Sequence, residues 1–383
     1  MRIVQVITGL QKAAGTTTFV ENVVRELKLL GHEVEIATNY EALTQKTQLP
    51  DIVHIHGLWS PLLHKASAWA QRHNIAVVWS THGMTAPWSL KHKWWKKCLP
   101  WYLYQKHDLK RAALIHSTTE LEREWNNKLG FTRQVVVPLG THLPKANEVE
   151  SCKLKVEGER EKVLLYVGRV YPVKALDNLI CAFAQAVGGR VEGERWRLRI
   201  VGPDQAGHMA ELMQLCEKLG LSYADQEGNI HRSIFNLQPS TYPQVEFVGP
   251  KYEEELSQEY DNCSVLALVS HTENFGATVI DAMAHGRAAL TSTKTPWKIV
   301  ADRGCGWWVD NGVESLARTI ERIMNLTEDE LRAMGDKGRK LVEEEYQWSV
   351  VAKRMAQGYE MAKMKCEKGY CADCPDLYDT CSP

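Results

Sequence analysis

The chain of 383 residues carries almost no excess charge, with 46 Lys+Arg against 47 Asp+Glu and a formal net charge of −1. That balance excludes the global electrostatics of a nucleic-acid binder or of a partner for a wholly acidic surface, so any charge signal has to be local. Long hydrophobic runs are missing as well. No uninterrupted apolar stretch reaches the roughly 18 residues needed to span a bilayer. The opening "MRIVQVITGL" lacks the long apolar region and small-residue cleavage site of a signal peptide, and reads as a first β-strand. The expectation is a soluble, cytoplasmic protein. G-x-G-x-x-G is absent, and the glycine-containing "TGLQKAAGTTT" lacks the Lys-Ser/Thr pair of a P-loop after its second glycine. D-x-D occurs nowhere, which argues against a metal-chelated diphosphate. Repeats and low-complexity tracts are also lacking.

What is present is length and alternation. A chain this long exceeds one ordinary core, so two domains with a cleft between them are expected. Short β-rich runs alternate with helical patterns: "RIVQVIT", the helix "TTFVENVVRELKLLG", then "EVEIAT", "DIVHIHG", "AVVWSTHG" and "ALIHSTT". The rhythm breaks at "KANEVESCKLKVEGEREK", the best linker candidate, and restarts with "KVLLYVG", "WRLRIVG", "VEFVG", "SVLALVS" and "AALTST". This pattern predicts an α/β chain of two Rossmann-like, doubly wound parallel-sheet domains. Their expected bounds are 1–160 and 161–345, followed by a helix at 346–364 crossing back to the first domain and a Cys-containing tail at 365–383. The aperiodic "SYADQEGNIHRSIFNLQPSTYPQ" reads as a surface loop or insertion.

Ten cysteines are present. Cys98, Cys152, Cys181, Cys216, Cys263 and Cys305 are scattered singly, as suits reduced thiols of the cytosol. In the tail, Cys366, Cys371, Cys374 and Cys381 form C-x4-C-x2-C-x6-C, of which the central pair alone has common zinc spacing. A metal site and a frayed tail with incidental thiols both fit that pattern.

In open parallel sheets ligands bind beyond the carboxyl ends of the strands. Here those positions are rich in Gly, His, Arg and Glu. In "SHTENFGATVIDAMAHG", Asn274, Phe275 and Gly276 would lie at a helix start, where amide N–H groups and the helix dipole favour an anion. Glu273 and Asp281 are eight positions apart, a rise of about 12 Å on a helix, too far for a hydrolytic carboxylate pair of roughly 5 to 9.5 Å. Two contacts on an extended ligand fit better than paired catalysis. Gly168, Arg169 and Lys174 offer a second anion site after "KVLLYVG". His56 and His82 each close a strand before a glycine. "TELE", with Thr119 and Glu122, reads as a capping box and nothing more.

Taken in order, "GRVYPVKALDNLICAF", "RLRIVGP", "VEFVGP", "SHTENFGATVIDAMAHG" and "YQW" resemble the retaining, nucleotide-sugar-dependent glycosyltransferases called family four, with the B-type two-Rossmann fold. "DIVHIHGLWSP", "STHGM", "TTELE", "TPW" and "GCGWWVD" are similar to its branch building exopolysaccharide and lipopolysaccharide. The resemblance implies a nucleoside-diphosphate sugar as donor and a glycan or lipid-linked saccharide as acceptor, with hexosyl or N-acetylhexosaminyl transfer and no metal or cofactor.

By that resemblance Arg169 and Lys174 meet the diphosphate, Glu273 the transferred sugar, and His82 the donor. The backbone of Asn274, Phe275, Gly276, Ala277 and Thr278 meets sugar or phosphate, Asp281 the ribose, and Val248 the base. Gly15, Thr16, His56 and Trp59 face the acceptor. The chain departs from the family with Asp281 for Glu, Ala175 for the glycine after the lysine, Leu139 for an Asn-Gly pair, and "TKTPW" around Lys294 for glycines. A nucleotide-sugar epimerase and a non-catalytic sugar- or nucleotide-binding subunit are the alternative classes.

Finally, the segment 88–112 interleaves Trp94, Trp95, Trp101, Tyr102 and Tyr104 with Lys91, Lys93, Lys96, Lys97, Lys106, Lys110 and Arg111. It fits an anionic membrane surface and a peripheral location at the cytoplasmic membrane face. It equally fits a helix with its aromatics in the core. Nucleic acid is not expected as a partner, and oligomeric state has no signature.

Overall fold

The computed structural model describes residues 1–10, 15–45, 48–144, 162–188, 196–231 and 244–367. Residues 145–161 of the linker candidate at 145–162, the loop centre at 11–14, the segment 232–243 and the tail cysteines after Cys366 lie outside the described residues. The chain divides into two units, one of Met1–Gly140 with the residues from Tyr346 on, the other Thr141–Glu345. Each is a parallel α/β sheet, as the alternation predicts.

In the first unit, β1 (Arg2–Val6), β2 (Glu33–Ala37), β3 (Ile52–His56), β4 (Ala76–Ser80), β5 (Leu114–Ser117) and β6 (Gln134–Val136) form one sheet in the order β2-β1-β3-β4-β5-β6, all parallel. β3 and β4 are buried at every residue, which is why "IVHIH" and "AVVWS" are nearly continuous apolar runs. Helix Gly15–Leu29 buries Val20, Val23, Val24 and Leu27, the three-and-four spacing of one face, and the chain leaves it through Gly31 at φ 84°. The C-terminal helix Trp348–Glu367 completes this unit. Its Trp348, Val351, Ala352, Met355 and Tyr359 share a core with Ile3, Phe19, Val23 and Val78.

The second unit joins β7 (Lys162–Val167), β8 (Trp196–Val201), β9 (Tyr223–Ala224), β10 (Ile230–His231), β11 (Val245–Gly249), β12 (Val265–Leu268), β13 (Ala288–Ser292) and β14 (Gly306–Val309). The order is β10-β9-β11-β8-β7-β12-β13-β14. Only the β9–β10 pair is antiparallel among the described strands. That hairpin corrects the reading of the 222–244 stretch as loop throughout. Two-residue strands carry too few side chains to show a period.

The ends of β7 and β8 meet closely. Gly168 has φ 153° and Gly202 φ 146°, both in the region that favours glycine. A Cβ on Gly202 would stand 1.8 Å from the Gly168 carbonyl oxygen, so this pair of glycines sets the spacing of the strand ends that carry Arg169. Gly202→Ala should therefore cost on the order of 3 kcal/mol, through overpacking and backbone strain. The measurement is the urea midpoint of unfolding, and a midpoint equal to wild type would show that the contact is not rigid.

Candidate functional site

In the second unit the loops after β7 and β12 are joined. The Val173 carbonyl accepts from the His271 N–H at 2.9 Å, which docks the 3-10 turn Pro172–Lys174 on the segment following β12. Lys174 Nζ then donates to Glu273 Oε2 at 2.5 Å, and both side chains are mostly covered. Ala175 closes the turn at φ 54° and ψ 39°, a left-handed conformation in which alanine carries the strain that glycine escapes. The family's usual glycine at this place thus has a backbone reason, and the departure leaves the turn intact. Arg169 is exposed, donating from Nη1 to Gln205 Oε1 at 2.8 Å. Tyr166 links it to the ion pair. Its hydroxyl donates to the Arg169 carbonyl at 2.9 Å, and burial, reinforced by the Glu273 carboxylate, drives its pKa upward.

Glu273 leads into the helix Thr278–Ala284 through Gly276 at φ 79°. A Cβ there would lie 2.4 Å from Leu268 Cδ2, so any other residue would have to displace that side chain as well as bear the left-handed backbone. Phe275 turns inward, its ring 5.2 Å from that of Trp297 and its carbonyl accepting from the indole N–H. The Phe275 side chain is buried, and the "TPW" that replaces the family glycines props its backbone. The Thr278 hydroxyl oxygen is covered and has no hydrogen-bond partner among the described residues. Such an orphan is costly unless a ligand satisfies it. One turn on, Asp281 Oδ1 accepts from the Thr141 hydroxyl at 2.6 Å. Burial raises the Asp281 pKa to about 6, against the pull of Thr141 and His285. Val248 falls in a β-bulge, since the register of β11 on β8 runs from Phe247↔Ile200 to Gly249↔Val201 and skips it.

In the first unit, four histidines lie beneath the carboxyl edge of the sheet, and their hydrogen bonds fix one direction. The Val137 carbonyl can only accept, so His116 Nε2 donates to it at 2.7 Å. Burial lowers the pKa of His116, His54, His56 and His82, the last to about 4, so all four rings are neutral at pH 7. His116 Nδ1 therefore accepts the Ser80 hydroxyl proton at 2.6 Å, and Ser80 Oγ accepts from His54 Nε2 at 2.6 Å. His54 Nδ1 accepts from the Tyr359 hydroxyl at 2.7 Å, which accepts from Gln5 Nε2 at 2.9 Å. Gln5 Oε1 takes the His56 Nε2 proton at 2.6 Å, and His56 Nδ1 takes that of His82 Nε2 at 3.0 Å. Every ring N–H and hydroxyl of the chain is spent in turn. His82 is left with a bare Nδ1 that has no partner among the described residues.

His82 also sits at φ 47°, and Trp59 at φ 74°, both left-handed and neither a glycine. Strain of this kind persists only where surrounding bonds hold it, and it clusters at functional sites. Trp59 is held by Gln105 Oε1 on its N–H and by the Tyr104 hydroxyl on its carbonyl, each at 2.8 Å. His82 is bracketed by Glu122, which is wholly buried and accepts from the Thr81 hydroxyl, the Gly83 N–H, and the Thr118 N–H and hydroxyl.

Two family models match the sequence: "Glycosyl transferases group 1" over residues 152–341 and "Glycosyltransferase Family 4" over residues 39–143. Sucrose-phosphate synthase from Thermosynechococcus elongatus superposes with a TM-score of 0.69 at 19% identity, covering 94% of this chain and 98% of that one. The fold is that of the B-type glycosyltransferases. HepE from Anabaena, solved with UDP and glucose, has the same fold at TM-score 0.64 and 13% identity, over 94% and 99% of the two chains. Among curated proteins, the D-inositol 3-phosphate glycosyltransferase of Nocardioides sp. is 30% identical over 201 residues, 48% of this chain and 39% of that protein. The chain thus matches about two fifths of the length of that relative.

Within this B-type fold the geometry corrects two sequence readings. His56 is 2% exposed with both ring nitrogens engaged, so it cannot face an acceptor; it acts behind His82. Thr119 does cap the helix Glu120–Lys128, accepting from the Glu122 N–H, but capping is not sufficient as an account of Glu122, whose carboxylate holds both neighbours of His82. Gln5, Tyr166 and Tyr359 were missed because single polar residues in apolar patterns give no signal. Gly15 and Thr16 open the helix Gly15–Leu29.

Two outcomes are expected. Tyr359→Phe strands the bare His54 Nδ1 and should cost about 1–3 kcal/mol, with altered histidine ¹⁵N shifts at His82; unchanged shifts and stability would refute the directed chain. For Asp281, the folded state holds a proton between about pH 4 and 6 that the unfolded state releases. Stability therefore falls as pH rises through that window, by roughly 3 kcal/mol. Asp281→Asn should abolish this fall, making the variant more stable than wild type above pH 6 and similar near pH 4. Parallel stability-pH curves for the two proteins would rule the effect out.

Proposed function

We propose that the protein transfers a sugar from a nucleoside-diphosphate sugar to a glycan or lipid-linked saccharide, with retention of anomeric configuration and without a metal. The observation that carries this reading is the meeting of Lys174 with Glu273 at the segment leading into Gly276 and the orphaned Thr278 hydroxyl. A diphosphate brings the anion that Lys174 exchanges for its carboxylate partner, and Arg169, exposed on the same loop, supplies a second cation. Released from the lysine, Glu273 accepts from hydroxyls of the transferred sugar. The amides of Asn274 to Thr278 meet sugar or phosphate, ionised Asp281 takes ribose hydroxyls, and the bulge at Val248 meets the base. His82 Nδ1 accepts from a sugar hydroxyl. Gly15, Thr16 and Trp59 serve the acceptor.

In the reaction the bond between C1 and the diphosphate oxygen breaks, and the acceptor oxygen bonds to C1 on the same face. The acceptor proton passes to the departing phosphate oxygen. Charge develops on that leaving group, and a fixed lysine stabilises it without reorganisation. Solved neighbours bound to UDP support a uridine donor as the first to try.

Lys174→Ala should lower kcat about 100- to 1000-fold; because it leaves the covered Glu273 carboxylate without its cation it should also lower the melting temperature, so turnover is measured well below that temperature. The assay measures nucleoside diphosphate released only when acceptor is present, with donors chosen from a nucleotide-sugar panel by their shift of the melting temperature. Turnover within a few-fold of wild type would refute the reading. Release without acceptor dependence would point to another reaction class.

A further inference from the structure

The segment between Trp88 and Leu103 presents outward what an amphipathic helix hides. Trp88 is 50% exposed, Trp94 60%, Trp95 61%, Leu99 66%, Tyr102 78% and Leu103 68%. These residues occupy the helices Pro87–Lys91 and Trp94–Pro100 and the π-turn Trp101–Gln105. Trp95, Leu99, Tyr102 and Leu103 follow the i, i+4, i+7, i+8 spacing of a single face. The inner face is already complete. Gln105, Asp108 and Leu109 are buried, Asp108 accepts from His64 Nδ1 at 2.8 Å, and the Gln105 and Tyr104 bonds to Trp59 tie the segment down. The outward apolar side chains are therefore a second face, not surplus core. A contiguous apolar patch of this kind marks an interaction surface.

Charge decides the partner. From Gly83 to His107 the chain holds five lysines and no Asp or Glu. Lys91, Lys93 and Lys96 are exposed among the aromatics, while Lys97 is engaged with the Ser89 carbonyl and lies 5.9 Å above the Trp59 ring. A second copy of the chain docking face to face would press lysines on lysines with no carboxylate in the patch to answer them. Nucleic acid would match the lysines but would leave Leu99 and Leu103 in water. We propose that this surface docks on an anionic phospholipid bilayer, with the rings and leucines at the headgroup boundary and the lysines on lipid phosphates. The inference rests on no part of the proposed transfer reaction.

The test is sedimentation of the full chain with vesicles of phosphatidylcholine alone or mixed with phosphatidylglycerol. Binding should require phosphatidylglycerol, weaken with added salt, and shift tryptophan emission to the blue. Replacing Lys91, Lys93 and Lys96 together by alanine should lower the partition coefficient on the order of 100-fold, about fivefold per lysine. Trp94→Ser, Trp95→Ser, Leu99→Ser and Leu103→Ser combined should reduce it to background; all four side chains are exposed, so the melting temperature should hold and serve as the control for folding. The proposal is overturned if the protein ignores phosphatidylglycerol, or if the fourfold variant binds as wild type does. It is equally overturned if the patch instead mediates dimerisation that the fourfold variant abolishes, or binds an oligonucleotide in preference to vesicles.

Discussion

In the second unit the loops after β7 and β12 are joined by a covered ion pair between Lys174 and Glu273 and by the hydrogen bond from the His271 N–H to the Val173 carbonyl. An ion pair largely removed from water is a weak source of stability, because desolvating both charges offsets most of their attraction. The proposed reaction would use the pair by exchange: an arriving diphosphate would take the lysine while the carboxylate turned to hydroxyl donors, so each charge would keep a partner throughout.

The first unit works by the opposite principle. It uses neutral groups whose protons are assigned one by one, from the Val137 carbonyl to His82. Low dielectric makes such a network strong when complete and costly when broken. Glu122, buried and saturated with four donors, holds the strained backbone on both sides of His82. An ion pair thus joins the loops of one unit, while in the other the buried Glu122 carboxylate holds the backbone on either side of a neutral ring.

Much of this was legible in the sequence because alternation of strand and helix is a local signal. The carboxyl ends of the strands, and hence Arg169, Lys174, Glu273 and His82, follow from where each apolar run stops. Less was legible where function joins residues far apart in the chain. Gln5 and Tyr359 are 354 positions apart, and Thr141 and Asp281 are 140 apart. No spacing rule reaches across such distances. Glu122 was hidden by a simpler role, since a cap and a buried carboxylate look the same in a four-residue pattern. The segment 88–112 was ambiguous for another reason: aromatics at helical spacing suit either face, and only the filled inner side, with Gln105 and Leu109, leaves the others outside.

The ordering of protons beneath His82 limits what that ring can do. A proton accepted at Nδ1 could pass along the chain only if each hydrogen bond reversed in turn, and the last member is a carbonyl with no site to receive it. The network is a dead end for conduction. The hydrogen bond to His56 accordingly orients the dipole of the His82 ring, and the network behind it is unsuited to serve as a Grotthuss wire to the interior.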